Sequence, residues 1–162
     1  MTISPGTAGA TIRYTTDRKG PTETSPAYTG PLSFTRSTVL RARSFVPGYY
    51  PSDVTERMYL KLDPGVSSFN SDLPLMAMET FGGGIGQDVY TTAACLFLDT
   101  IDGRCYLTDT PYHAGAGGLQ LRGSSSIGFP KKMYKLETWD RHGDDLDVSL
   151  LGLPADSDWV LN

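Results

Sequence analysis

Histidine is almost missing from this chain. Only His113 and His142 occur in 162 residues, and no Gly-x-Ser-x-Gly elbow accompanies them. A nucleophile–histidine hydrolase needs both a base and an exposed nucleophile, so that chemistry has little to stand on. Both histidines read as loop residues. Cysteine is as scarce: Cys95 and Cys105 alone cannot build a four-cysteine zinc site or a multi-disulfide scaffold. They flank a turn in "AACLFLDTIDGRCYL", which leaves open either a disulfide across a short hairpin or two buried thiols. No apolar run approaches the ~20 residues of a membrane-spanning helix. "MTISPGTAGA" has neither the charged start nor the apolar middle of a signal peptide. A dense basic stripe is lacking too, which argues against nucleic acid as a partner.

Glycine and proline, by contrast, are plentiful. Their 18 and 11 copies exceed the usual combined share of about 12% and fall between short runs rich in Thr, Val, Tyr, Leu and Ile. That is the punctuation of an all-β protein. Charge divides the chain. Residues 1–62 carry 8 basic and 4 acidic side chains, residues 63–162 carry 6 and 14, and such a break suggests two units. The Pro/Gly/Ser-rich stretch 63–68 reads as the linker between them.

In the first unit, "ATIRYTTD" alternates with period two, placing Ala10, Ile12 and Tyr14 on one face. A turn at Pro5-Gly6 precedes it. "LSF" suggests a short strand with Leu32 and Phe34 on one side. "STVLRARSF" places Leu40 and Ala42 inward and Arg41 and Arg43 outward, and "VTERMYLKL" closes the unit. Short strands at this spacing point to a small immunoglobulin-like or fibronectin-like β-sandwich. Tyr49 and Tyr50, in "VPGYYPS", suit stacking on a sugar ring, or the plainer arrangement of one packed and one solvated tyrosine.

In the second unit, "LPLMAMETF" reads as a buried strand, "GGGIGQD" as a flexible connection, and "VYTTAACLFLD" as a longer strand. "IDGR" is a turn with "CYLTD" returning as the hairpin partner. "LQLRG" and "KKMYKLETWD" form another strand pair, and "DVSLLGLPADSDWVLN" is too apolar to stay exposed. Gly123 and Gly128 have P-loop spacing, but Phe129 and Pro130 follow where Lys and Ser or Thr belong. The "GGGIGQ" run misses the dinucleotide fingerprint because residue 87 is Gln. "DRHGDDLD", 140–147, gathers four aspartates without the ordered spacing of a calcium loop, and reads as a solvated turn.

Two resemblances sharpen this picture. "TISPGTAGATIRYTTD", the Pro21-Thr22 pair, "YTGPLSF" and "STVLRARSFVPGYYPSDV" together resemble the β-sandwich module that ends chitobiase and hexosaminidase enzymes and recurs as a spacer in secreted bacterial proteins. Members usually carry Asp-Gly where this chain has Asp17-Arg18, which bears on the turn type there. "LQLRGSSSIGFPKKMYKLE" with "DVSLLGLPADSDWVLN" resembles the N-terminal part of the spore coat protein H (CotH) kinase family, whose hallmark is Arg-Gly-Asn-Ser-Ser followed by Lys-Lys-x-Tyr. Ser124 stands in place of the usual Asn.

The second resemblance implies that residues 69–162 are the β-rich first lobe of a secreted or surface-associated protein kinase. It implies ATP and Mg²⁺ as cofactors of a longer parent, and protein or cell-surface glycan as partners. Phosphoryl transfer needs a cation on the nucleotide phosphates. Lys131 or Lys132 supplies one, the backbone around Ser124, Ser125 and Ser126 supplies N–H donors, and Arg122 either joins them or braces a carboxylate. The same residues also suit a plain hairpin turn with surface lysines. Kinase metal ligands and catalytic acids lie beyond a first lobe, so no catalytic residue is assigned. Against this stands a second reading, a complete extracellular glycan- or protein-binding β module with no nucleotide role. A first lobe alone would expose apolar surface around Leu150, Leu151, Leu153, Trp159 and Val160.

Overall fold

The structure, a computed structural model, describes residues 1–4 and 6–162. Pro5, half of the expected Pro5-Gly6 turn, lies outside the described residues. The fold is mainly β, and its strands pair antiparallel throughout. The chain divides into two compact units, Met1–Lys61 and Leu62–Asn162.

The first unit is built on a three-stranded sheet of β1 (Thr11–Thr15), β2 (Thr38–Phe45) and β3 (Thr55–Tyr59), with β2 central. The alternation of apolar residues does what it should: Ile12, Leu40 and Ala42 are buried together. On the other face the register sets Arg41 opposite Glu56, and the pair closes as a 2.5 Å ion pair. Met1–Ile3 supplies part of a second layer. The Met1 amine donates to the Leu32 carbonyl (3.0 Å), the Leu32 N–H returns a bond to Met1 (3.0 Å), and the Ile3 N–H donates to the Tyr28 hydroxyl (3.1 Å). "LSF" therefore joins no sheet. Its Leu32 is held by that reciprocal pair, and Phe34 packs on Tyr59 with ring centroids 5.2 Å apart. The Asp17-Arg18 departure leaves the turn left-handed: Arg18 sits at φ +67°, a conformation costing a non-glycine residue roughly 1–2 kcal/mol. An Arg41 guanidinium bond to the Arg18 carbonyl and a Lys19 N–H bond to Asp17 Oδ1 (3.1 Å) hold it there.

The second unit centres on a five-stranded sheet. Its strands are β5 (Leu75–Glu79), β6 (Thr91–Leu98), β8 (His113–Arg122), β9 (Met133–Trp139) and β10 (Asp158–Leu161), in the spatial order β10-β9-β8-β6-β5. A separate ribbon pairs β4 (Asn70–Ser71) with β7 (Cys105–Tyr106). The expectation that "CYLTD" folds back on the preceding strand is thus corrected. The Ile101–Arg104 turn is tight, with Asp102 at φ +50° and Gly103 at φ +77°, but β6 pairs with β5 and β8 instead. That separation also settles the cysteines, which are both buried free thiols. Burial pushes the Cys95 thiol up to about 12, so it stays protonated and unreactive. "LPLMAMETF" is an edge strand, half-buried, with Met76 40% exposed.

Cross-strand partners share a face. One face brings together Ala93, Cys95, Phe97, Leu119 and Leu136, and Leu150 drops onto it from the β9–β10 connection. That connection is anchored through Thr138, fully buried. Its hydroxyl donates to the Leu146 carbonyl (2.7 Å), and its N–H donates to Ser157 (2.9 Å). The Gly-rich run 82–87 is pinned rather than loose: Leu121 N–H donates to Gly86 (2.8 Å), Thr91 Oγ1 donates to Gly84 (2.8 Å), and Ile85 packs against the core. Of the residues expected to be bared, Leu150 is buried and Trp159 half-buried, while Leu151, Leu153 and Val160 are exposed.

Candidate functional site

The loop between β8 and β9 gathers all six candidate phosphate-contact residues at one end of a hairpin whose last pair is Arg122 and Met133. Gly123 starts the loop at φ +113°, and a Cβ there would fall 2.3 Å from Ser126 Oγ, so no other residue fits without rearrangement. Ser125–Gly128 then makes one 3-10 turn, closed by the Phe129 N–H on the Ser126 carbonyl (3.0 Å). Ser124 begins that turn with no side-chain cap. Gln87 Nε2 reaches across to the Gly123 carbonyl (2.9 Å).

Arg122, Ser124, Ser125 and Lys131 are exposed, whereas Ser126 and Lys132 are half-buried. The two lysines precede β9, and hydrogen bonding distinguishes them. Lys132 Nζ donates to the Ile127 carbonyl at 2.5 Å, committing that ammonium to the loop itself. Lys131 lies on a cleft of about 540 Å³ with Ser126, Phe129, Pro130, Met133 and Asn162. The loop is thus a self-satisfied turn beside a mostly apolar cleft, carrying exposed cations at Arg122 and Lys131.

The remaining sequence candidates fall elsewhere. His113 is not a loop residue. It opens β8 half-buried, 5.8 Å from the Phe97 ring, and its Nε2 is buried with no hydrogen-bond partner. Burial lowers its pKa and keeps the ring neutral. His142 is exposed and accepts at Nε2 from Arg141 Nε (2.9 Å). The "DRHGDDLD" aspartates form a turn. Asp140 Oδ1 accepts the His142 N–H (2.7 Å) and the Asp144 N–H (3.1 Å), and these bonds lower its pKa. Among the described residues, no group of three or more metal-ligating side chains converges.

One arrangement had no sequence signal. On the opposite sheet face the Trp139 indole lies over Gly118, and Tyr90 meets it edge-on at 6.2 Å. Trp139 Nε1 donates to Glu137 Oε2 (3.0 Å). Burial and a hydrogen bond to Glu137 push the Tyr90 phenol up to about 12. Register sets Asp158 opposite Glu137, and burial with that neighbouring carboxylate raises the Asp158 pKa. Strands β8, β9 and β10 and the residue just before β6 supply these groups, so only pairing brings them together.

In the first unit, a cleft of about 580 Å³ runs between the N-terminal segment and the sheet, lined by Ile3, Leu40, Arg43, Ser52, Asp53 and Tyr59 among others. Beyond it the β2–β3 loop projects Tyr49, 78% exposed, and Tyr50, 100% exposed. The arrangement with one tyrosine packed is therefore not the one adopted.

Residues 1–56 match the family model of the chitobiase/beta-hexosaminidase C-terminal domain. The match covers β1, β2 and the start of β3, together with the tyrosine loop and all of the cleft lining except Arg57 and Tyr59. The resemblance read from "TIRYTTD" and its companions thus agrees with this match, which is to a glycoside-hydrolase-associated β module. No curated protein and no solved structure matches the chain. Nothing in these comparisons supports the kinase resemblance of residues 69–162.

Proposed function

We propose that the chain is a non-catalytic accessory segment of an exported, carbohydrate-directed protein. In this reading the chitobiase/hexosaminidase-type module holds the second unit at a glycan surface. The observation that carries it is the family match over residues 1–56, which falls within the compact unit Met1–Lys61. The same association supports an extracellular setting. The purified chain is expected to be retained on insoluble chitin and released by soluble N-acetylglucosamine oligomers. Passage through chitin, cellulose and other insoluble glycans without retention would remove this reading.

A second reading, the kinase first lobe with protein as its substrate, is favoured by one feature. The β8–β9 loop delivers Arg122, Ser124, Ser125, Ser126 and Lys131 to one end of an antiparallel five-stranded sheet, and Lys131 makes no ion pair among the described residues. It predicts that Mg-ATP binds this chain and that Lys131→Ala weakens binding about tenfold, the worth of one charge-assisted bond. It also predicts that this chain transfers no labelled phosphate. Calorimetry at millimolar nucleotide showing no heat of binding would end it.

A further inference from the structure

The β2–β3 loop presents two adjacent tyrosines that the fold does not use. Tyr49 and Tyr50 are the two most exposed large hydrophobic side chains among the described residues. A solvated aromatic gains nothing for stability, yet the backbone beneath this pair is closely held. The Tyr49 N–H closes a turn on the Val46 carbonyl (3.1 Å). Pro47 precedes Gly48 at φ +79°, the residue order of a type II turn. Below it the strands are clamped: the Ser52 N–H donates to the Ser44 carbonyl (3.0 Å), the Ser44 N–H donates to Ser52 Oγ (3.0 Å), and Arg43 Nε donates to the Ser52 carbonyl. Pro47 and Pro51 stiffen both sides of the tip.

We propose that Tyr49 and Tyr50 are a stacking platform for the sugar rings of a neutral polysaccharide. The proposal rests on the carbohydrate-directed reading above and locates its contact. Three observations carry it. From Phe45 to Ser52 the only ionisable side chains are the two phenols, so the tip suits an uncharged ligand. Two tyrosines offer roughly 150–250 Å² each, far below the ~800 Å² per partner of a stable protein interface, so a narrow chain of rings fits better than a protein face. Ser44 and Ser52, which close the base of the loop, also line the 580 Å³ cleft with Arg43, Asp53, Arg57 and Tyr59. Hydroxyl-binding groups therefore lie next to the aromatic tip, as sugar recognition requires. Each tyrosine orders only two side-chain torsions on binding, and the held backbone keeps the remaining entropy loss small.

The test compares the intact chain with its Tyr49→Ala/Tyr50→Ala and Tyr49→Phe/Tyr50→Phe variants on insoluble chitin, with cellulose as a second matrix. The alanine variant should bind at least about tenfold more weakly with an unchanged melting temperature, because both side chains are solvated. The phenylalanine variant, which keeps the stacking faces, should retain most of the binding. Equal retention of the alanine variant and the parent chain would overturn the tyrosine platform while leaving the carbohydrate-directed reading intact. Failure of the parent chain to bind either matrix would overturn both.

Discussion

Phe97→Ala should destabilise the second unit by about 3–5 kcal/mol, the cost of truncating a buried ring whose surroundings cannot collapse. Phe97 is 2% exposed on β6, the second strand in from one edge of the sheet, and belongs to the core cluster with Ala93, Cys95, Leu119, Leu136 and Leu150. Tyr112 and His113 flank its ring at 6.4 and 5.8 Å. Removing the ring would leave a void bounded on one side by a hydrogen-bonded sheet that cannot move inward. Because domains of this size have only about 5–15 kcal/mol to lose, the variant should unfold at much lower urea. Trp139 and Trp159 are the only tryptophans and both lie in the second unit, so their fluorescence reports its unfolding alone. A shift of less than about 1 kcal/mol would mean that Phe97 is not a packed core residue.

Gly117→Ala should cost about 2–3 kcal/mol although it adds one methyl group. An ideal Cβ at Gly117 falls 2.5 Å from the Glu137 carbonyl oxygen, 3.1 Å from Cys95 Sγ and 3.3 Å from Leu136 Cδ1. The nearest obstacle is backbone of the paired strand, which cannot swing aside like a flexible side chain. Relief would require β8 and β9 to separate at the centre of the sheet. Gly84, in a loop where a Cβ meets nothing within 4 Å, is the control, and its alanine variant should change stability by less than about 1 kcal/mol. Equal urea midpoints for the two variants would show that β8 does not approach β9 this closely.

Strand positions followed from alternation wherever one sheet face is buried and the other solvated. Ile12, Leu40 and Ala42 went inward as their spacing requires, and the β8–β9 pair formed around the Arg122–Lys132 stretch. Alternation says nothing about partners, however. "CYLTD" follows a good turn and still pairs with Asn70–Ser71, because β8 offers β6 a seven-residue ladder that two residues of β7 cannot match. The same limit hid the Tyr90–Glu137–Trp139–Asp158 arrangement, whose members come from β9, β10 and the residue before β6, and the commitment of Lys132 to the Ile127 carbonyl.

Composition and local pattern alone determined an all-β chain and a change of character near residue 62, while the motifs of residues 1–56 carried a resemblance that the family match bears out. These are properties of short segments: turn chemistry, two-residue periodicity, and a motif read in order. Tertiary structure alone decided that both cysteines stay free, that His113 keeps an unpartnered nitrogen in the interior, and that Tyr49 and Tyr50 both project into solvent. Each of those depends on which strand lies beside which, and on how tightly the neighbours fill the space. That is a balance of non-local packing and hydrogen bonding which a residue's immediate neighbours in the chain do not encode.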